Sequence, residues 1–505
     1  MADHATFVSP VDEANLALLR AVRPAEWVNP TPHAVYDLVV VGGGTAGLVS
    51  AMGAAGLGAR VALVERHLLG GDCLNVGCVP SKAIIRSARA AAEARRALRL
   101  GVRVGAVEPD FGAIMRRMRE RRAGLSPNDS ARRLQAAGVH VFFGGARFSS
   151  PRSLEVAGRV LRFNRAVIAT GGRPTAPPVP GLNDVSYLTN ETLFSLTELP
   201  RHLLVVGGGP IGCELAQAFA RFGSAVTVLD QAPHVLPRED PDAAAIVQRR
   251  LVEEGIRLEL GVNLTSAVGE GDRFRLQFTR GAASAVAGVS GDRLLIAAGR
   301  APNIEELGLD EAGVAASPQG VVVNDRLQTS NRRIFAAGDV CSSFKFTHAA
   351  DAMARIVIQN ALFYGRRRAS ALAIPWCTYT DPEVAHVGLY ADEARSRGHH
   401  VQSVTVDFAD VDRAVLDEEP EGFARLHHER GRLLGCTIVA SHAGELIAEA
   451  AFALTHGRTL ADLSSTIHPY PTQAEALRKA GDAYRRSLLT ARVRGLLERY
   501  FRWTR

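Results

Sequence analysis

The chain contains the same short pattern twice, and this repeat constrains its fold more than any other feature. A run of apolar residues, typical of a strand buried in a parallel sheet, leads into Gly-x-Gly-x-x-Gly and then a helical segment. A second strand follows and ends in an acidic residue 18 positions after the last glycine. The first copy comprises the strand Tyr36 to Val41 and Gly42, Gly44, Gly47 and Glu65, and the second comprises the strand Leu203 to Val206 and Gly207, Gly209, Gly212 and Asp230.

This pattern is typical of a dinucleotide-binding unit. The glycines permit a tight turn and a close approach of the backbone to a pyrophosphate, whose charge is stabilised at the helix N-terminus. The acid at the end of the second strand hydrogen-bonds ribose hydroxyls. One such motif is weak support, whereas two with correctly placed strands, helices and acids predict two bound dinucleotides rather than two empty glycine turns.

A pair of cysteines, Cys73 and Cys78, lies just after the first unit. Two thiols at this spacing can close a disulfide across one helical turn, so we expect a redox-active pair beside a cofactor. A structural disulfide or a metal site is the alternative. A structural metal site usually needs four ligands, and the remaining cysteines form no second pair: Cys213, Cys341, Cys377 and Cys436.

Length and composition exclude several classes of protein. A chain of 505 residues with 47% hydrophobic content implies several domains with their own cores. No apolar run is long enough to span a membrane, and the start Met-Ala-Asp-His is not a secretory signal. We therefore expect a cytoplasmic protein. The net charge of +7 is mild for this length and indicates a solvated surface rather than a nucleic-acid partner.

Together these motifs resemble the class I pyridine nucleotide–disulfide oxidoreductases over about residues 34 to 480. The resemblance implies an α/β fold with two Rossmann-like dinucleotide-binding domains plus a C-terminal α+β dimerisation domain. It also implies a homodimer. The expected boundaries are an N-terminal leader at 1–33, an FAD-binding domain at 34–172 and 298–370, an NAD(P)-binding domain at 173–297, and a dimerisation domain at 371–505.

The resemblance further implies the cofactor sites. The residues matched to FAD are Gly42, Gly44, Gly47, Glu65, Gly71, Lys82, Thr170, Gly171 and Asp339. Those matched to NAD(P) are Gly207, Gly209, Gly212, Glu214, Asp230 and Gly299. Lys82 is expected to pair with Glu214 near the flavin. Because an acid at Asp230 repels a 2′-phosphate and no arginine follows until Arg238, NADH is favoured over NADPH.

The same resemblance gives the two cysteines different roles. Cys78 matches the thiol near the flavin, and Cys73 matches the thiol that attacks the substrate. Reducing equivalents are expected to pass from NAD(P)H through FAD to this pair. We expect the pKa of Cys73 to be lowered, because a thiolate is the nucleophile.

One segment departs from the disulfide-reducing members of the family. Those proteins carry a histidine two residues before the threonine matched by Thr472, and a glutamate three residues after it; this chain has Tyr470 and Glu475 at those places. A phenol is a poor proton shuttle at neutral pH and is better suited to a metal–thiolate complex. Mercuric reductases of the family carry tyrosine there. His468 is the alternative base, and a packed interface aromatic is the alternative role for Tyr470.

The predicted function is therefore reduction of a thiol-bound metal ion, Hg(II) to Hg(0), with Cys73 and Cys78 as transient ligands of the substrate metal. Reduction of a small disulfide or another oxidised sulfur compound, with His468 as the acid, is the alternative. A third hypothesis is non-enzymatic: the protein is a flavin-bearing redox sensor. The sequence shows neither an N-terminal Cys-x-x-Cys metal-binding domain nor a cysteine pair near its last residues, and both are normal in full mercuric reductases.

The end of the chain predicts an amphipathic basic helix. Apolar side chains recur at helical spacing among arginines: Leu489, Val493, Leu496, Leu497, Tyr500 and Phe501. Packing of this helix on the dimer is favoured over contact with a membrane surface or a separate partner.

Overall fold

The computed structural model describes residues 7–271, 273–281 and 286–505, apart from the side chain of Glu270. The chain forms two compact units. Unit 1 comprises the described residues up to Ala232 and those from Gly255 to Leu372, and unit 2 comprises Pro233–Glu254 and Ala373–Arg505. The segment 233–254 thus groups with the C-terminal part of the chain, although it lies within the predicted NAD(P)-binding domain.

Unit 1 alternates strands and helices through its first part. Its elements up to residue 232 are α1 (Glu13–Val22), β1 (Tyr36–Val41), α2 (Thr45–Gly56), β2 (Val61–Glu65), α3 (Gly71–Asn75), α4 (Cys78–Arg96), α5 (Phe111–Leu125), α6 (Ala131–Ala136), β3 (Val139–Phe143), β4 (Ala146–Ser150), β5 (Ser153–Val156), β6 (Arg159–Ile168), β7 (Gly172–Pro174), α7 (Asn190–Leu193), β8 (His202–Val206), α8 (Pro210–Phe222) and β9 (Ala225–Asp230).

The remaining elements complete both units. Unit 2 contains α9 (Pro241–Glu253). Unit 1 continues with β10 (Arg257–Leu260), β11 (Val262–Glu270), β12 (Arg273–Arg280), β13 (Ala287–Gly291), β14 (Arg293–Ile296), β15 (Arg300–Pro302), β16 (Ala316–Ser317), β17 (Gly320–Val321), β18 (Ile334–Ala336) and α10 (Thr347–Leu362). Unit 2 continues with β19 (Trp376–Thr378), β20 (Glu383–Gly388), α11 (Ala391–Ser396), β21 (Gln402–Asp407), α12 (Asp412–Leu416), β22 (Phe423–Glu429), β23 (Arg432–Ala440), α13 (Ala443–Thr455), α14 (Leu460–Ser465), α15 (Glu475–Ser487) and α16 (Ala491–Thr504).

Two parallel sheets organise unit 1. In the first, β3, β2, β1 and β6 pair in parallel, and β18 pairs in parallel with β6, while β5 and β4 extend it antiparallel. In the second, β10, β9, β8 and β14 pair in parallel. Strands β1 and β8 are buried almost throughout, which explains why they read as continuous apolar runs. Each strand leads directly into its glycine turn and helix.

The two segments at the expected boundaries between the FAD-binding and NAD(P)-binding domains lie side by side. Strand β7 pairs antiparallel with β15, with Gly172 opposite Pro302. The Thr170 hydroxyl donates to the Asn303 carbonyl at 2.7 Å, and the Asn303 amide returns a bond to the Thr170 carbonyl at 2.9 Å. The chain therefore leaves the first sheet along β7 and returns towards it along β15, and these two strands form one short antiparallel pair.

Unit 2 is built on an antiparallel sheet ordered β19-β20-β23-β22-β21, which confirms the predicted α+β character of this part of the chain. Its core includes residues from strands β20, β22 and β23 and from helices α13 and α15. Helix α16 has no buried residue, and Leu496 and Trp503 are 64% and 84% exposed. No helix among the described residues is long and apolar enough to cross a membrane.

Candidate functional site

The first glycine turn is shaped by the packing of the protein and leaves open space for a ligand. Gly42 has φ +106°, and a Cβ on Gly47 would lie 1.8 Å from the Gly42 carbonyl oxygen, so neither position accepts a side chain. A Cβ on Gly44 would meet nothing nearer than the Gly71 Cα at 3.7 Å. The space beside Gly44, the N-cap of α2, fits a pyrophosphate oxygen.

The second glycine turn repeats this geometry closely. Gly207 has φ +113°, and a Cβ on Gly212 would lie 1.8 Å from the Gly207 carbonyl oxygen. A Cβ on Gly209, the N-cap of α8, would meet nothing within 4 Å. Both predicted turns therefore offer a helix N-terminus with free space in front of it, which fits the phosphates of a dinucleotide.

The two predicted ribose acids hold equivalent positions. Glu65 Oε2 accepts from the Gly43 N–H at 2.6 Å, and Asp230 Oδ2 accepts from the Gly208 N–H at 2.5 Å. Burial raises the pKa of Glu65, and backbone N–H groups and nearby arginines oppose that shift. Each carboxylate is thus tied to the second residue of its glycine turn, at the end of the strand that the sequence predicts.

The cysteine pair is arranged differently from our prediction. Cys73 lies in α3 and Cys78 is the first residue of α4, so the two thiols do not share a helical turn. The break falls at Gly77, whose backbone is not helical and where a Cβ would lie 2.8 Å from the Asp72 carbonyl oxygen. Both cysteines are free thiols in the structure.

The two thiols have opposite pKa shifts. A hydrogen bond from the Cys73 thiol lowers the pKa of Cys78 to about 6, and the Thr347 hydroxyl, 3.4 Å from Cys78 Sγ, and the Lys82 ammonium act in the same direction against burial. The same Cys73–Cys78 contact, together with burial, raises the pKa of Cys73. These directions differ from our expectation, which gave the lowered pKa to Cys73 rather than to Cys78.

Lys82 and Glu214 lie together, as the sequence predicts. The Lys82 ammonium donates to Glu214 Oε2 at 2.8 Å, and the Glu214 side chain is 7% exposed while that of Lys82 is 37% exposed. This pair joins α4, which carries Cys78, to α8 of the second dinucleotide-binding unit. It holds a positive charge one helical turn beyond Cys78.

The remaining predicted cofactor residues lie near the β7–β15 pair, after β18 and, for Gly71, at the start of α3. Asp339 follows β18, and its carboxylate is 3.4 Å from Arg300 Nη2; burial raises the pKa of Asp339 and Arg300 opposes that shift. Gly171 has φ +67° with open space around it. Gly71, with φ +55°, packs against Gly44, and a Cβ on Gly299 would lie 2.6 Å from Thr175 Oγ1.

Tyr470 and His468 lie in unit 2 and make separate contacts. The Tyr470 side chain is exposed, and its hydroxyl donates to Asp412 Oδ2 at 2.9 Å, a contact that raises the pKa of the phenol. The His468 side chain is 5% exposed; Nδ1 lies 3.0 Å from the Thr466 carbonyl and Nε2 lies 2.9 Å from Glu449 Oε2. Both imidazole nitrogens are therefore engaged within their own unit.

Glu475, which matches the glutamate beside the family histidine, makes no hydrogen bond to an imidazole among the described residues. It is the first residue of α15 and is 4% exposed. One carboxylate oxygen accepts from Arg478 Nη2 at 2.7 Å, and the other has no hydrogen-bond partner among the described residues. Because the Tyr470 hydroxyl bonds to Asp412 instead, the usual pairing of these two positions is absent within this unit.

Several contacts around the redox loop, residues 71–78, were not visible in the sequence. The Asp72 carboxylate accepts from Arg300, the Asn75 carbonyl accepts from Arg122 at 2.6 Å, and the Val76 carbonyl accepts from Asn190 at 3.2 Å. These partners come from distant parts of the chain, so no local motif announces them. No cluster of metal-ligating side chains occurs among the described residues.

Comparisons with known proteins agree with this geometry. The family profile "Pyridine nucleotide-disulphide oxidoreductase" matches residues 36–354, and the dimerisation domain of the same family matches 374–481. Mercuric reductase of Streptomyces lividans is 37% identical over 90% of this chain and 97% of that protein. Dihydrolipoyl dehydrogenase of Thermus scotoductus is 35% identical over 89% of this chain and 97% of that protein.

A solved structure is also similar. The Cu(II) complex of the HOCl-induced flavoprotein disulfide reductase RclA from Escherichia coli superposes with a TM-score of 0.78 at 29% identity. The similarity covers 88% of this chain and 98% of that chain. The fold is therefore shared with a flavoprotein disulfide reductase.

Proposed function

We propose that this chain, which belongs to the pyridine nucleotide–disulphide oxidoreductase family, reduces thiol-bound Hg(II) to Hg(0) at the Cys73–Cys78 dithiol. Membership makes it an FAD-dependent oxidoreductase that uses NAD(P)H. The net reaction takes NAD(P)H, one proton and the dithiolate complex Hg(SR)₂ to NAD(P)⁺, Hg(0) and two thiols RSH, so two electrons are transferred per metal ion. The metal is the substrate and not a resident cofactor.

One observation supports the choice of a metal substrate: both nitrogens of His468, the imidazole nearest in sequence to the expected acid position at Tyr470, already have hydrogen-bond partners. Tyr470 replaces the histidine that disulfide reductases use, and His468 is bound at both nitrogens by Thr466 and Glu449. Reduction of a disulfide needs an acid to protonate the leaving thiolate. When two enzyme sulfurs displace the small thiolates of a thiol-bound metal ion, the proton lost by one enzyme thiol can pass to a leaving thiolate, so no imidazole acid is required and a phenol is sufficient.

The dithiol suits a soft metal. Thiolates select soft ions, and a low thiol pKa favours the thiolate at neutral pH. Cys78 meets this condition because its pKa is lowered to about 6. When Hg(II) binds both sulfurs, two small thiolates leave the metal, and one of them takes up the proton that Cys73 loses.

The chain has residues that fit both cofactors. The space beside Gly44, the Glu65 carboxylate and Asp339 would hold FAD, and the equivalent turn at Gly209 with Asp230 would hold the nicotinamide dinucleotide. FAD supplies the means of passing two electrons from a hydride donor to a disulfide. The Lys82 ammonium places positive charge beside Cys78, and Glu214 fixes its position.

NADH is proposed as the preferred coenzyme, and Asp230 is the residue that tests it. Asp230→Asn keeps an oxygen for the Gly208 N–H but removes the charge that repels a 2′-phosphate. We expect the ratio of kcat/KM for NADH to that for NADPH to fall by about tenfold, since one charge-assisted hydrogen bond is lost and one repulsion is relieved. Glu65→Gln, the equivalent change in the first dinucleotide-binding unit, should leave this ratio of kcat/KM values unaltered. If Asp230→Asn leaves this ratio unchanged, Asp230 does not determine the preference for NADH over NADPH.

The choice between Hg(II) and a small disulfide is tested at Tyr470. We expect Tyr470→Phe to reduce kcat for Hg(II) by about a hundredfold, as for the loss of a single transition-state hydrogen-bond donor. His468→Ala should leave it little changed, because that imidazole is held by Glu449. Tyr364→Phe, at another highly exposed tyrosine, is the matched control. If His468→Ala is the damaging variant and a disulfide is the better acceptor, the metal proposal fails.

The alternative, reduction of a small disulfide, is favoured by the similarity to a flavoprotein disulfide reductase. The dimerisation domain at 374–481 indicates a homodimer. We propose that Tyr470 and Glu475 serve the active site of the partner subunit in that dimer.

A further inference from the structure

The residue midway between the two cysteines is held by a side chain from a different helix. Asn75 lies in α3, and its backbone carbonyl accepts a hydrogen bond from Arg122 Nη1 at 2.6 Å. Arg122 belongs to the last turn of α5. Because Asn75 is two residues after Cys73 and three before Cys78, a hydrogen bond at its carbonyl restrains the chain that separates the two thiols.

Arg122 is held in turn by the N-terminal segment, residues 7–33. Its Nη2 donates to Asn15 Oδ1 at 2.6 Å. Asn15 is fixed by its own bonds, from Nδ2 to the Pro10 carbonyl at 2.7 Å and from its N–H to Asp12 Oδ1 at 2.9 Å. A continuous chain of hydrogen bonds therefore runs from the N-terminal segment through one guanidinium to the redox loop.

All three members of this chain are buried. Asn15 is 0% exposed, and Arg122 and Asn75 are each 6% exposed. Burial of the guanidinium lowers the pKa of Arg122 to about 10, and the neighbouring Arg119 adds to the effect. The buried Arg122 guanidinium has an oxygen acceptor on each terminal nitrogen. Removing either acceptor would leave an unpaired polar group in the interior, so these hydrogen bonds restrain Asn15 and Asn75 strongly.

The N-terminal segment is itself docked firmly, although the family profile begins only at residue 36. Leu18, Leu19 and Val22 of α1 are buried. Trp27 Nε1 donates to the Val141 carbonyl at 3.2 Å, and Asn29 exchanges two hydrogen bonds with the backbone of Phe143. The segment is thus an integral layer of unit 1 that lies outside the matched part of the family.

We infer that the N-terminal segment is a brace for the redox loop, and that Asn15 and Arg122 are positioning residues that hold Cys73 and Cys78 at the spacing needed to form their disulfide. The inference rests on the dithiol chemistry of the proposed function but not on the identity of the oxidised substrate. A loop with fewer restraints lowers the effective concentration of one thiol at the other. The disulfide then becomes easier to reduce, and the reduction potential of the pair rises.

The test compares variants of the purified, flavin-containing protein in mixtures of reduced and oxidised dithiothreitol. After acid quenching and alkylation, mass spectrometry of the peptide that contains Cys73 and Cys78 gives the fraction in the disulfide. We expect Arg122→Met and Asn15→Leu to shift the equilibrium about tenfold toward the dithiol, equivalent to about 30 mV for a two-electron couple. Asn15→Asp keeps the acceptor oxygen for Arg122 and should restore the native equilibrium. The kcat with NADH should fall in the first two variants while the KM for NADH stays the same.

Arg119→Met is the matched control. Arg119 lies one turn before Arg122 on α5, is 5% exposed, and bonds to Asp12 at 2.5 Å; its described hydrogen bonds go to the N-terminal segment and not to the redox loop. It should lower stability without moving the equilibrium. Equal shifts in Arg119→Met and Arg122→Met, or no shift in Asn15→Leu, would overturn the inference. If only Arg122→Met and Asn15→Leu shift the dithiol–disulfide equilibrium and the protein does not reduce Hg(II), the inferred role of the N-terminal segment is retained. Only the proposed substrate is then rejected.

Discussion

Cys73→Ser is expected to reduce NADH-driven turnover of any acceptor that needs the dithiol by at least about a thousandfold. A serine hydroxyl neither forms a disulfide nor binds a soft metal at neutral pH. Cys78→Ser should have an effect of the same size, because it removes the second sulfur of the pair, whose pKa is lowered. The measurement is NADH oxidation with Hg(II) in excess thiol and, separately, with small disulfides.

Two controls separate loss of the dithiol from loss of the fold. Ferricyanide accepts electrons without a dithiol, so NADH oxidation with ferricyanide should persist in both variants. Cys377→Ser, at a partly exposed cysteine of unit 2, should leave every activity close to native. Turnover of Hg(II) or a disulfide that survives in Cys73→Ser would show that reduction occurs elsewhere.

The second large effect is expected at the paired glycines Gly47 and Gly212. In each case an added Cβ would lie 1.8 Å from a backbone carbonyl oxygen of the same turn, and backbone cannot move aside as a side chain can. Gly47→Ala should destabilise the protein by about 3 kcal/mol and abolish retention of FAD. Gly212→Ala should leave the protein yellow but remove its use of NADH. Flavin content and coenzyme kinetics, measured on the same samples, report both outcomes.

Gly56→Ala provides the matched control for that pair. Gly56 is the last residue of α2, the same helix that carries Gly47, and a Cβ there meets nothing within 4 Å. It should retain FAD and unfold at the native temperature or slightly above it. If Gly212→Ala loses FAD and Gly47→Ala retains it, the two cofactors are assigned to the wrong dinucleotide-binding units and must be exchanged.

The parts of the fold that the sequence predicts well are those dictated by local chemistry. The predicted strand at 36–41 and the observed β1 coincide, because a buried parallel strand must be apolar throughout. Glu65 and Asp230 lie where predicted, because the strand and turn that place each of them are short and rigid. The pairing of Lys82 with Glu214 came from the family resemblance and not from any local pattern.

The parts that sequence reasoning missed depend on contacts between distant segments. The predicted arrangement of Cys73 and Cys78 across one helical turn was wrong because α3 ends at Asn75 and a new helix begins at Cys78, with the non-helical Gly77 as its N-cap. The bond between His468 and Glu449 joins residues 19 positions apart on separate elements, so nothing near His468 indicates it. The N-terminal segment showed only a short amphipathic pattern, whereas its contact with Arg122 depends on how α1 and α5 pack.

The central claim is tested most directly by measuring elemental mercury released from Hg(II) in excess thiol by the native protein with NADH. Released Hg(0) should equal the NADH consumed, and both should disappear in Cys73→Ser. We also expect Hg(II) to be a better acceptor than any member of a panel of small disulfides. No release of Hg(0), together with rapid reduction of one disulfide that depends on His468, would contradict it.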